Sequence, residues 1–196
     1  MEWDWTTTEY GEAHAGAVGA LLADGTEPGP AYFDTGSGPE VHSTTHWSAY
    51  DGQLGQPRAA ALRAACACGW RGPAEYPLDW DAIGDKPLDE AGIDLAGPLG
   101  DWTAHLAVVR ETVVPLPPTL DNLLQRLTDH LESMTGDAPL AALRAAAVLE
   151  RVAAQITEDA ADILSDGSMT AEQLATALGT TETKAMMILL RGRDDW

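Results

Sequence analysis

Two cysteines lie one residue apart in the segment "ACACGW", residues 65–70, and they are the only cysteines in the chain. Three kinds of chemistry compete for Cys66 and Cys68: a metal site, a redox pair, or two small apolar side chains in a strand. The redox pair is least favoured, because a disulfide between residues this close closes a strained ring and no C-x-x-C motif is present. Free cysteines are often buried as small apolar groups, so the third interpretation stays open beside the metal site.

A metal site requires further ligands, because zinc in proteins usually binds four thiolate or imidazole groups in a tetrahedron. His42 and His46 lie in a segment before the cysteines that predicts a strand, and His105 lies in a predicted helix after them. We therefore expect Cys66 and Cys68 to share one zinc ion with His105 and with a histidine of the preceding strand. The sequence leaves open whether that histidine is His42 or His46.

The spacing of the two cysteines sets a condition on this site. Residues two apart on a strand point to the same face, so Cys66 and Cys68 would be about 7 Å apart if the strand stayed straight. Both can reach one ion only if the chain bends at the second thiolate. Gly69 follows directly and would allow such a bend.

The two remaining histidines predict no metal ligation. His14 lies in "GEAHAGAVGAL", which we interpret as a helix with His14 on its surface. His130 lies near the end of a later predicted helix, where a protonated imidazole is favoured by the helix dipole.

The segment "CACGWRG", preceded by a histidine-bearing strand and followed by Trp102 and His105, resembles a pattern in small actinobacterial proteins of poorly defined role. It is similar to a degenerate treble-cleft or ββα zinc element. The resemblance covers residues 42–105 and implies that the N-terminal part is held together by zinc.

The elements that must position these residues predict an α+β fold in two parts. In residues 1–114, "EVHSTTHWSAY" (40–50) predicts a strand, the turn "DGQLGQP" follows, and residues 58–70 predict the second strand of a hairpin. Residues 99–112 predict a helix. A proline cluster at Pro115, Pro117 and Pro118 then separates this part from residues 115–196.

The second part, residues 115–196, is helical throughout in its pattern. Leucines recur at three- and four-residue spacing from Leu120 to Leu131, and a second apolar stripe runs from Leu140 to Ile156 with Pro139 just inside the helix start. The breaks "TGDAP" and "SDGS" separate these helices from each other and from two short ones near the end of the chain.

The two short helices, within "MTAEQLATALGTTETKAMMILLRG" (about 169–191), resemble a helix-turn-helix. Ala175 and Gly179 stand four apart, as the small residue of the first helix and the turn glycine do in that family, and the longer stretch 138–193 resembles actinobacterial regulators. The resemblance implies a regulatory protein, with a DNA-binding transcriptional regulator as its most direct form. It places DNA or partner contact at Thr180, Thr181, Thr183, Lys184, Met187, Arg191 and Arg193.

The charge of the chain favours the alternative that residues 169–193 contact a protein. Eleven basic residues against 31 acidic ones give a net charge of −20, which repels phosphate backbones and anionic lipids. Met186 and Met187 lie in an apolar stretch that suits another chain or self-association as a homodimer. The alternative function is therefore a strongly acidic interaction module, in one form a nucleic-acid mimic, without DNA contact.

Other classes of function have little support in the sequence. It contains no Gly-rich phosphate loop, no nucleophile elbow and no metalloprotease motif, so we do not expect an enzyme. It also shows no signal-peptide pattern and no apolar run of about 20 residues, and few cysteines, so we expect a cytoplasmic protein without a membrane partner.

Overall fold

The computed structural model describes residues 4–33, 42–164, 167 and 169–191, and of His42 only the backbone. The chain divides into two compact units, Met1–Glu111 and Thr112–Trp196. The first contains all the described strands and the second is helical, so the predicted α+β fold class is confirmed. The division at 111/112 falls beside the predicted boundary at 114/115.

The first unit contains a three-stranded antiparallel sheet and a two-stranded ribbon. The sheet has the order β1 (Gly16–Leu21), β4 (Ala61–Cys66), β5 (Tyr76–Pro77), with Gly16 opposite Cys66. The ribbon pairs β2 (Ala31–Phe33) with β3 (His42–Thr44).

The α-helices come after the strands along the chain. The first unit has a 3-10 turn at Gly11–His14, another at Trp47–Ala49, and the helices α1 (Trp80–Ile83) and α2 (Ala96–Thr112). The second unit holds α3 (Pro118–Asp137), α4 (Pro139–Leu164), α5 (Ala171–Leu178) and α6 (Glu182–Arg191). Among the residues described, no helix is both long enough and apolar enough to cross a membrane.

The helix predicted for "GEAHAGAVGAL" was wrong. One 3-10 turn ends at His14, and the chain then enters β1, whose six residues are all buried. The reason is close packing: a Cβ on Gly16 would lie 2.7 Å from the Trp102 ring. A run of small residues that would favour a helix in isolation becomes a strand because other elements approach it closely on both faces.

The predicted hairpin was only half right. Residues 61–66 form β4 as expected, but β4 pairs with β1 and β5 and not with the segment that holds His42 and His46. That segment contributes only the short β3, which pairs with β2, and then turns into the 3-10 turn at Trp47–Ala49. The longer buried run of β1 offers six paired residues to β4, and this outweighs the local hairpin.

One side of the sheet carries the aromatic residues that surround the cysteines. Trp102 and Leu106, one turn apart on α2, pack with Ala64 and Cys66 of β4 in a small buried cluster. This cluster fixes α2 against the end of β4. It thereby places His105, the residue before Leu106, beside the "CACGW" turn.

Candidate metal centre

The segment after β4 is a tight turn. The amide of Gly69 donates to the carbonyl of Cys66 at 3.0 Å, and the amide of Cys66 donates to the carbonyl of Trp70 at 2.9 Å. Gly69 has φ +95°, a conformation that favours glycine. The chain thus bends immediately after Cys68, which was the condition for both sulfurs to reach one point.

Four potential ligands converge at this turn: His14, Cys66, Cys68 and His105, whose ligand atoms all lie within 4.8 Å of one another. Cys66 Sγ lies 3.7 Å from His14 Nδ1, and Cys68 Sγ lies 3.3 Å from His105 Nε2. In a zinc tetrahedron with ordinary bond lengths, sulfur and nitrogen ligands are about 3.5 Å apart. The cluster can therefore hold a metal ion.

Neighbouring aromatic residues orient both imidazoles. The Trp70 ring stacks on His105 with 4.3 Å between centroids and 5° between planes. Tyr10 meets the ring of His14 edge-on at 5.3 Å, and Trp102 Nε1 donates to the carbonyl of His14 at 3.1 Å. Such outer contacts fix ring orientation and so pre-organise a ligand set.

The two thiols have different acidities. The hydrogen bond between the sulfurs and the burial of Cys66 raise the pKa of the Cys66 thiol. The same hydrogen bond lowers the pKa of Cys68, and the backbone amide of Trp70 and the ring of His105 lower it further. Cys68, which is exposed, is thus the more acidic of the two thiols.

Of the two histidines expected from the preceding strand, His46 is not part of this cluster. His46 lies elsewhere, with its Nδ1 2.8 Å from Ser48 Oγ and its Nε2 3.3 Å from Asp4 Oδ1. The side chain of His42 lies outside the described residues.

His14 is the site residue that sequence reasoning missed. It is buried, with 8% of its surface exposed, and lies at the end of a 3-10 turn just before β1. One signal in the sequence could have identified it. The residues around it, "AHAGAVGAL", are small and apolar, as in a strand that is buried on both faces. A histidine buried beside such a strand needs a hydrogen-bonding or metal partner.

The residues predicted to contact DNA or a partner lie around α6. Thr181, Thr183, Lys184, Met187 and Arg191 are exposed. Thr180 is half-buried, with its hydroxyl buried and lacking a hydrogen-bond partner in the part of the chain described, and Thr181 Oγ1 accepts from the Lys184 amide as a helix cap. Arg193 lies outside the described residues.

Both ends of α5 are fixed by residues that favour helix termini. Thr170 and Gln173 form a reciprocal capping box at the start of α5, and Gly179 ends it in the left-handed conformation with φ +59°. Ala175 of α5 and Ala185 of α6 are buried in the same cluster, so small residues let the two helices approach closely.

Comparisons of the chain with protein-family models, with curated proteins and with solved structures found no match.

Proposed function

We propose that the N-terminal unit is a zinc-stabilised module in which His14, Cys66, Cys68 and His105 hold one structural Zn²⁺. The single observation that carries this proposal is the convergence of two thiols and two imidazoles within 4.8 Å of one another, from positions spread over more than ninety residues of the chain. Two sulfur and two nitrogen ligands around one point suit tetrahedral zinc.

The pairing of ligands argues against an iron–sulfur cluster. In a two-iron cluster with two cysteines and two histidines, the thiolates bind one iron and the imidazoles bind the other. Here each sulfur lies beside an imidazole nitrogen, at 3.7 Å and 3.3 Å, so the four groups surround a single ion position.

The role of the ion follows from the ligand count. A zinc ion with four protein ligands has no open position for a substrate, which supports a structural and not a catalytic role. The ligands come from the 3-10 turn before β1, the end of β4, the following turn and α2, so the ion would tie together the main elements of this unit.

Elemental analysis of the untagged protein tests this proposal. We expect about one zinc per chain in the parent and in the control variant His46→Ala, and loss of most of the zinc in His14→Ala and Cys66→Ser, because a three-ligand site binds far more weakly. Cobalt titration of the metal-free chain should add a thiolate charge-transfer band that weakens in Cys68→Ser.

Two results would overturn the zinc proposal. One is a parent protein that contains no zinc and takes up none when it is added. The other is a reversed pattern, with zinc lost from His46→Ala and kept in His14→Ala.

A second candidate function concerns α5 and α6. We propose that they form a helix-turn-helix that contacts DNA, which would make the protein a transcriptional regulator. The capping box, the left-handed Gly179 and the close approach at Ala175 and Ala185 support this proposal, because they produce two short helices joined by a tight turn. Lys184 and Arg191 are the exposed basic groups of α6 that would meet phosphates.

Selection of bound fragments from a random duplex library, followed by salt titration, tests DNA contact. Lys184→Glu should weaken binding across all sequences and reduce the slope of log K against log salt by about one unit or more. Met187→Asp serves as the comparison, since it makes the same helix more negative by one charge, against two for Lys184→Glu, and removes no basic group, at a side chain that is 55% exposed.

Failure to enrich any duplex at low salt, or equal effects of Lys184→Glu and Met187→Asp, would count against DNA contact. Loss of a protein partner on Met187→Asp alone would instead support the acidic interaction module.

A further inference from the structure

The helices α3 and α4 leave their large apolar side chains uncovered. None of the twenty residues of α3 is buried, and of the twenty-six residues of α4 only Ala161 is buried. Helical stability in water comes mostly from packing of an apolar face and not from intrinsic propensity. Two long helices with so little buried surface therefore need further protein packed against their apolar faces.

The exposed side chains form one stripe on each helix. At 3.6 residues per turn, four leucines share one side of α3, and five large side chains share one side of α4. These nine side chains are between 37% and 76% exposed. We call them the α3–α4 stripe, which consists of Leu120, Leu123, Leu124, Leu127, Val148, Leu149, Val152, Ile156 and Ile163. Leu140 and Leu143 are exposed too, but they lie on the other side of α4 and are not part of the stripe.

The spacing within the stripe is typical of helices that pack side by side in a bundle. Leu149, Ile156 and Ile163 recur every seven residues on α4, and Leu120 and Leu127 do so on α3. Seven-residue apolar repeats keep a seam facing a neighbouring helix over several turns. The α3–α4 stripe is therefore suited to packing against other long helices and not against a single short peptide.

The area of the stripe matches what a stable dimer needs. Nine side chains about half exposed, at roughly 100 Å² of apolar surface for each complete burial, offer on the order of 450 Å² per chain. A standard interface buries about 800 Å² per partner, of which about 65% is apolar in homodimers. The apolar part of such an interface is about 520 Å² per partner, which is close to the area that the stripe offers.

The charges on these helices disfavour two other kinds of partner. Residues 118–164 contain eight acidic residues and three arginines, an acid excess that repels anionic lipid and nucleic acid. A second copy offers helices of the same lengths with the same repeat, and two helix pairs placed face to face form a four-helix bundle.

We propose that the α3–α4 stripe is the dimerisation surface of this chain, which closes a four-helix bundle with a second copy around a two-fold axis. The contact is isologous, so each chain buries the same nine side chains against its partner. The proposal does not depend on zinc or on DNA contact, although a dimer would carry two copies of α5 and α6 in one assembly.

The mass of the full chain in solution tests this inference, measured by sedimentation equilibrium or by light scattering during size exclusion. The parent should have twice the chain mass of 20.7 kDa. Ile156→Glu and Leu124→Glu should weaken dimerisation about 100-fold, because each places a charge in the apolar seam. Ala154→Glu is the matched control: it adds the same charge on the opposite side of α4 and should leave the dimer intact.

Circular dichroism, recorded beside the mass measurement, shows whether a monomeric variant has kept its helices; Leu124 and Ile156 are 45% and 61% exposed within the chain, so their replacement acts mainly at the proposed seam. A parent that is monomeric at tens of micromolar would overturn the proposal. So would a dimer that survives both seam variants, because its interface would then lie elsewhere.

Discussion

At the scale of single residues, the fourth member of the candidate metal centre is a histidine that is far from the others in sequence. His14 precedes Cys66 by 52 residues and yet lies 3.7 Å from it. The contact exists because Gly16 pairs with Cys66 in the sheet, which brings the end of the preceding turn beside the sulfur. His46, which is nearer in sequence to the cysteines, is drawn away by Asp4 and Ser48.

Glu27 provides a second interaction that joins distant residues. Its carboxylate lies 2.5 Å from Arg63 Nη2 and 2.6 Å from Arg71 Nε. The hydrogen bond from Arg71, and then that from Arg63, lower the pKa of Glu27. Since Arg63 lies in β4 and Arg71 follows the cysteine turn, Glu27 holds the two sides of that turn together.

We expect Glu27→Gln to lower the free energy of unfolding at pH 7 by about 1 kcal/mol, the value for partly exposed ion pairs. Because folding lowers the pKa of Glu27, its stabilisation is fully present above the pKa of the unfolded chain, near 4.3, and is lost as the pH falls through the folded value. Urea titrations at pH 7 and at about pH 3 should therefore show the difference from the parent at the higher pH only.

Glu90→Gln serves as its control, since Glu90 is exposed and forms no ion pair among the residues described. A loss of stability in Glu27→Gln that stays the same at both pH values would contradict an ionic origin.

At the scale of elements, the contact between β1 and α2 positions the residues of the candidate metal centre. Trp102 packs over Gly16, and its indole nitrogen donates to the carbonyl of His14. Three residues further along α2, His105 lies under Trp70. One helix therefore supports one ligand through the backbone and supplies another ligand itself.

We expect Gly16→Ala to destabilise the first unit by about 2 kcal/mol, because the new Cβ would lie 2.7 Å from the buried Trp102 ring and force it to move. Displacement of Trp102 should also reduce the zinc retained per chain. Urea denaturation and elemental analysis of the purified variant measure the two effects.

Gly19→Ala is the matched control in the same strand. Its Cβ would make only ordinary contacts, at 3.7 Å with the Arg63 carbonyl and 4.0 Å with Ala65. It should be neutral or slightly stabilising, since glycine weakens a strand interior. Equal destabilisation by the two substitutions would show that close approach to Trp102 is not the cause.

At the scale of the whole molecule, the two units differ in how they bury apolar surface. The first has two buried clusters on its small sheet, whereas the second buries a small cluster around α5 and α6 and leaves α3 and α4 largely exposed. The proposed zinc ion adds stability to the first unit, and the proposed second copy adds it to the second. These are the two usual ways in which small domains compensate for a limited core.

The sequence by itself determined the features that depend on local pattern. The helices from Pro118 to Arg191 follow from apolar spacing, proline breaks and end signals such as Thr170 and Gly179. The bend at Gly69 also followed from a short-range rule, the conformational freedom of glycine. His105 was predicted as a ligand from its residue type, but the packing of α2 on β4 is what brings it to the cysteines.

Only the tertiary structure decided which segment pairs with β4. "GEAHAGAVGAL" has the small residues of a helix, and the segment around His42 and His46 has the β-branched residues of a strand. The outcome depended on which segment could pair with β4 while Trp102 packs against it, and Gly16 leaves the space for that ring. Because that choice is made by packing between residues far apart in the chain, His14 joins the two cysteines and His105, and His46 does not.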